Sequence, residues 1–167
     1  MHSGIRITWP FPLLPLLALL LLTCAHCGDD SSSGDPEAME REMFELLNDA
    51  RADNGLQPLL ADPGLTEAAR QNSQDMADRN FFSHVNPDGE SVMDRVSAAG
   101  VEDYGALGEN IAMNQGHDDP VRTAHEALLA SADHRANILS DAYTHLGIGI
   151  AADGDTYYFT QVFASLP

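Results

Sequence analysis

The chain has 167 residues, 44% of them apolar, and a formal net charge of −18 at pH 7, which is enough for one domain with a hydrophobic core. Its eight basic residues are all arginine, set against 26 Asp and Glu. So acidic a surface excludes a nucleic-acid partner, which needs a basic stripe, and electrostatic docking on anionic lipid, and it suits cationic partners or metal ions.

Residues 1–27 read as a secretory signal peptide. Arg6 precedes a leucine-dominated run over residues 11–22 that contains Pro12 and Pro15, shorter than the roughly 20 apolar residues of a membrane-spanning helix. Cys24 and Cys27 close this segment, and the rest of the chain has no cysteine, so the folded part holds no disulfide. Gly28, Asp29, Asp30 and three serines follow Cys27. This polar tether resembles the one after a lipidated bacterial cysteine, and lipid anchoring at Cys27 or Cys24 stands beside simple secretion. No other membrane attachment is expected.

Residues 28–36 form a linker, and the folded domain is expected over 37–167. Residues 37–54 carry a helical stripe of Met39, Met43, Leu46, Leu47 and Ala50, with Pro36 at the start and Gly55 at the stop. Residues 58–63 read as a loop and 64–80 as a second helix, with Leu65, Ala69 and Met76 on one face. Phe81 and Phe82 then plug the core, and 83–89 turn. A short helix is expected over 90–99, a loop over 101–107, and a short strand over 109–113. Pro120, after Asp118 and Asp119, starts a helix running to about Ala132. Residues 146–152 and 156–163 read as strands joined by an Asp153-Gly154-Asp155 turn. Helices followed by a hairpin predict an α+β fold in a single domain. There is no Gly-rich phosphate loop, no Gly-x-Ser-x-Gly elbow, and no internal repeat.

Three segments could carry chemistry. His84 follows Phe82-Ser83 and is a candidate ligand or base on a loop beside the core; the alternative is a histidine bonded to backbone. Glu109 lies between Gly108 and Asn110, next to apolar residues where a carboxylate is costly without a partner. It could orient a histidine or bind a metal, or it could be an exposed or structural acid. His134 follows Ser131-Ala132-Asp133, where it reads either as a site residue or as a cation at a helix C-terminus. His117, His125 and His145 sit among polar residues and read as solvated. Two histidines and a carboxylate suit an open metal site or an acid–base pair, but spacing alone does not bring them together.

The ordered set Leu47-Asn48-Asp49-Ala50-Arg51, Phe82-Ser83-His84, Gly108-Glu109-Asn110-Ile111-Ala112, Ser131 to Leu139, Leu146-Gly147-Ile148-Gly149 and Phe159 to Phe163 resembles the CAP superfamily. That group comprises cysteine-rich secretory proteins, antigen 5 and pathogenesis-related proteins, and the match is to its bacterial, disulfide-free branch. The similarity spans about residues 37–166. It implies an α-β-α sandwich with a cleft where His84, Glu109 and His134 converge, able in several members to bind a divalent metal, usually zinc. The family's fourth cleft residue, a glutamate three residues after a tryptophan, corresponds here to Ser131, with Leu128 in the tryptophan's place. Glu126, one turn earlier, is the other candidate.

Three functions remain open. The residues favour an extracytoplasmic binding module, secreted or lipid-anchored, that takes a small ligand or a cell-envelope partner, with metal held by His84, His134 and Glu109. A metal-dependent hydrolase is the second, in which a His-bound metal activates water; no nucleophilic serine or cysteine beside a base is evident. A lipid or sterol carrier is the third. A monomer is expected.

Overall fold

The computed structural model describes residues 34–167; the segment read as a signal peptide, Cys24, Cys27 and most of the expected linker lie outside the described residues. In chain order the elements are α1 (Pro36–Asp53), β1 (Leu60–Ala61), α2 (Pro63–Arg79), α3 (Val92–Ala98), β2 (Leu107–Gln115), α4 (Pro120–Ala130), α5 (Ala132–Ile138), β3 (His145–Asp153) and β4 (Thr156–Ala164). Among them no helix is long and apolar enough to cross a membrane.

Three helices start on the same dipeptide. Asp35-Pro36, Asp62-Pro63 and Asp119-Pro120 each put proline at the first helical position, where no N–H is needed. Each aspartate accepts a backbone N–H of the first turn: from Glu37 at 3.1 Å, Leu65 at 2.8 Å and Arg122 at 2.9 Å. Ser91 and Asp94 close a reciprocal capping box on α3.

The sheet has the order β1-β3-β4-β2. β3 and β4 form the expected hairpin, pairing Asp153 with Thr156 across a turn in which Gly154 has φ 62°. β2 lies antiparallel on the far side of β4, and β1 lies parallel to the start of β3. Side chains alternate across this sheet. Leu146, Ile148, Ile150, Phe159 and Phe163 pack against Met39, Met43 and Leu47 of α1 and Val121, Ala124 and Leu128 of α4. On the other face, Val162 and Ala164 meet Leu65, Ala68 and Ala69 of α2 and Val96 of α3. The result is the expected three-layer α-β-α sandwich.

Two segments explain their own sequence. Gly147 and Gly149 face α2 so closely that a Cβ on either would lie 2.1–2.4 Å from the backbone of Leu65 and Thr66 or of Ala69 and Arg70. In Leu47-Asn48-Asp49-Ala50-Arg51, Leu47 fills the core and Asn48 grips both backbone groups of Leu59. Arg51 is buried and donates to the carbonyls of Gln57 (2.9 Å), Ile138 (2.8 Å) and Ser140 (2.7 Å). It thereby ties α1 to the C-terminal end of α5, where a cation is favourable. Burial lowers the pKa of its guanidinium, against a smaller opposing pull from Asp141. Arg51→Met orphans those carbonyls and is expected to cost about 3 kcal/mol, measurable by urea unfolding.

Several expected boundaries and burials change. The third helix starts at Val92 rather than Glu90, and β2 extends to nine residues. Leu60 and Ala61, expected in a loop, form β1. Phe81 packs against the core cluster, but Phe82 is exposed. The helix expected to run to Ala132 breaks at Ser131, which ends α4 and starts α5 in an extended conformation.

His125, expected in solvent, is buried on α4, and its Nδ1 has no hydrogen-bond partner among the described residues. Burial first, and Arg122 second, lower its pKa from the ordinary imidazole value, outweighing Glu126 and Asp49. The unfolded chain therefore binds this proton more readily, and His125 withdraws stability as pH falls below about 6.5. Expected is a smaller loss of unfolding free energy between pH 7.5 and 5.0 in His125→Leu than in the parent.

Candidate functional site

The loop after α2 is built around Asn86. Its Oδ1 accepts the N–H of Asp88 and Glu90 at 3.0 and 2.9 Å, while its Nδ2 donates to Asp75 and Glu90. This self-bonded turn fixes the loop and presents His84. β2 supplies Glu109 from the edge of the sheet, on the face covered by α2 and α3. α3 supplies Arg95.

These three side chains form one chain of contacts. Glu109 Oε1 lies 2.8 Å from His84 Nδ1, and Oε2 lies 2.7 Å from an Arg95 guanidinium nitrogen. The carboxylate and guanidinium are 3% and 2% exposed, whereas the His84 side chain is 53% exposed. Arg95 also donates to the carbonyls of His84 (3.3 Å) and Glu90 (3.2 Å), so one cation joins α3, the loop and β2. A carboxylate oxygen accepts, so in this contact His84 Nδ1 carries the proton that Glu109 receives. In the neutral imidazole that tautomer places the lone pair on Nε2, on a ring that is half exposed.

The expected Glu109–His84 contact is therefore present, with Glu109 as the orienting partner. Arg95 was missed; the signal available was a lone arginine beside Val96 in a short helix, where only a paired charge can be buried.

His134 is reached differently. It is the third residue of α5, not a residue at a helix C-terminus, so the capping reading is wrong; the break at Ser131 reverses which helix end it occupies. Its backbone carbonyl accepts from Asn110 Nδ2 at 3.1 Å, one residue along β2 from Glu109. Asn110 is fully buried and also meets Gln161, while Asn137 of α5 donates to Asn110 Oδ1 at 2.9 Å. This amide network docks α5 on the opposite face of β2. Gly108 makes room there: a Cβ would lie 2.3 Å from the Tyr143 hydroxyl, which donates to Asn137 Oδ1 at 3.4 Å.

The His134 ring has no hydrogen-bond partner among the described residues. Ser131 serves as the joint between α4 and α5, and Glu126 is exposed without a bond to either histidine.

Among the described residues no group of three or more His, Cys, Asp or Glu side chains is arranged to hold a metal ion. His84 nonetheless has the form of a metal ligand, one ring nitrogen given to a carboxylate and the other free. Of the three expected ligands, the structure joins His84 to Glu109, and no hydrogen bond among the described residues links the His134 ring to either.

Family assignment follows from comparison with known proteins. A family model described as the cysteine-rich secretory protein family, CAP, matches residues 44–163. The chain belongs to the CAP family. This CAP domain is 38% identical over 133 residues to the uncharacterized protein YkwD of Bacillus subtilis, covering 80% of the chain and 49% of the relative. It is 40% identical over 124 residues to the uncharacterized membrane protein YlbC of the same organism, covering 74% and 34%. It thus spans half or less of the length of each.

Among solved structures, an extracellular protein containing a SCP domain from Bacillus anthracis matches with TM-score 0.69 and 32% identity, over 78% of this chain and 41% of that one. An outer surface protein from Borrelia burgdorferi shares the CAP fold with TM-score 0.70 at 14% identity, over 78% and 95%.

Proposed function

We propose that the protein is an exported binding module whose recognition element is the oriented His84 imidazole. The observation that carries this reading is the Arg95–Glu109–His84 chain, which buries two charges to present a single ring nitrogen to solvent. Exposed apolar side chains lie on the same elements: Phe82 and Val85 flank His84, Met93 lies in the first turn of α3, and Met113 shares the β2 face of Glu109. An exposed polar group among apolar side chains suits a ligand that is partly apolar. Export is supported by the leucine-rich N-terminal segment and by the Bacillus anthracis relative, described as extracellular. Lipid anchoring at Cys27 or Cys24 and free secretion remain the two forms of that export.

A divalent metal such as zinc would be held by the nitrogens of His84 and His134 and would supply a Lewis-acid contact to the ligand. Glu109 holds the His84 ring in the ligating tautomer. The runner-up, a hydrolase, draws on the same contact, because an imidazole paired with a carboxylate is also a general base.

Zinc titration by calorimetry at neutral pH tests the site. Expected is one saturable event that disappears in both His84→Ala and His134→Ala, with thermal unfolding unchanged. No zinc binding by the folded parent would remove the metal and leave the cleft to direct ligand recognition. Turnover of peptide or ester substrates that is lost with chelator would replace the binding reading by the hydrolase.

A further inference from the structure

The buried Arg51 has more donors than its three carbonyls use. Nε donates to Gln57, and Nη1 donates to Ile138 and Ser140. Both hydrogens of Nη2 are left without a bond among the described residues. Nη2 is not one of the enclosed side-chain atoms that lack a partner, so it reaches open space. That space is a cavity of about 600 Å³, which Arg51 lines together with Leu56, Pro58, Leu60, Asp141 and Tyr143.

The walls of this cavity are held in place by their own bonds. Gly55 and Leu56 donate to the carbonyls of Ala52 and Arg51 at 2.9 and 3.0 Å, and the N–H of Leu60 donates to Thr144 at 3.0 Å. Asn48 fixes Leu59 between them. On the other side the Tyr143 ring lies 5.4 Å from that of Phe163, centroid to centroid, and its hydroxyl donates to Asn137. A cavity preformed in this way spares a ligand most of the cost of ordering it.

Two opposite charges face the cavity. Burial lowers the pKa of Arg51 and the nearby Asp141 raises it, although the two side chains form no ion pair. A simple carboxylate would be drawn to Arg51 and repelled by Asp141, and a simple amine would meet the reverse. A ligand that carries both charges one carbon apart is attracted by both. The remaining lining is apolar, and Leu60 stands largely exposed in it.

We propose that this cavity binds an α-amino acid with a large apolar side chain. Its carboxylate takes the N–H groups of Arg51 Nη2, its ammonium faces Asp141, and its side chain lies against Pro58, Leu60 and the Tyr143 ring. None of these residues belongs to the Arg95–Glu109–His84 chain, so the two sites stand independently.

The test is calorimetry on the purified protein with L-phenylalanine, phenylalaninamide and phenylpropionate. The amide lacks the carboxylate and the acid lacks the ammonium. Because Arg51 also holds the fold, its contact is probed through the amide rather than by substitution. Expected is saturable binding of phenylalanine below about 10 mM, at least about tenfold tighter than either analogue. Backbone amide NMR shifts are expected at Leu56, Gln57 and Tyr143. Asp141 is exposed, so D141N should keep the fold, weaken phenylalanine about tenfold, and leave phenylpropionate no weaker. Absence of binding, equal affinity for either analogue, full phenylalanine affinity in D141N, or shifts confined to the His84 loop would each overturn the proposal.

Discussion

Gly149→Ala is expected to lower the unfolding free energy by about 3 kcal/mol or more, at the upper end of overpacking effects. The added methyl would sit 2.2 Å from the backbone of Ala69 and Arg70, whereas carbon atoms prefer about 3.5–4.0 Å. No rotamer change can relieve a clash with helix backbone, so α2 must lift from the sheet and loosen the contacts of Leu65, Ala69 and Met76. Gly147→Ala is expected to behave alike, and the double variant to be unfolded. Gly116 supplies the contrast: its φ is 71° but nothing surrounds it, so alanine there should cost only about 1–2 kcal/mol of backbone strain. Urea midpoints for the three variants check the ranking. Equal losses at Gly116 and Gly149 would refute the close approach.

Glu109→Ala is the second large effect. It strands the Arg95 guanidinium in a buried position, and such breakage costs about 3–5 kcal/mol. Arg95→Met combined with Glu109→Leu removes both charges and is expected to recover most of that stability, because the desolvation cost goes with the pair. The folded double variant is then informative about function. Its His84 ring has no partner at Nδ1, so affinity for the ligand proposed to bind His84 should fall although the fold stands. Retained affinity would reduce the buried pair to a structural joint between α3 and β2.

Much of the fold was legible because its signals are local. The Asp-Pro starts at Pro36 and Pro120, the stripe of Met39, Met43 and Leu47, and the hairpin around Gly154 each follow from a few adjacent residues. β1 was not legible: two exposed residues carry no periodicity, and their pairing partner lies 85 residues away in β3. The break between α4 and α5 was hidden by good helix formers on both sides. Ser131 followed by Asp133 nevertheless matches a helix start, with a capping residue and an acid in the first turn. His125 was misjudged because polar sequence neighbours say nothing about the α1 surface that α4 covers.

For the candidate site, the residues His84 and Glu109 were legible as a resemblance, and their contact is present. Their roles were not legible, since the partner that defines them, Arg95, arrives from another element. The amide network of Asn110, Asn137 and Gln161 escaped notice for the same reason. Amides have many possible partners, and only the register of β2 on β4 chooses among them.

The strand order β1-β3-β4-β2 also governs when folding can happen. Among the described residues β4 is the only strand paired on both sides along its whole length; without residues 156–164, β2 has no partner and β3 keeps only the two-residue pairing with β1. A chain emerging from the ribosome can form helices, but it cannot close this sheet before residues 156–164 have emerged. Such a polypeptide stays threadable until then and collapses in one step. Removing residues 156–164 would leave β2 unpaired and β3 held only by the two residues of β1, and no domain.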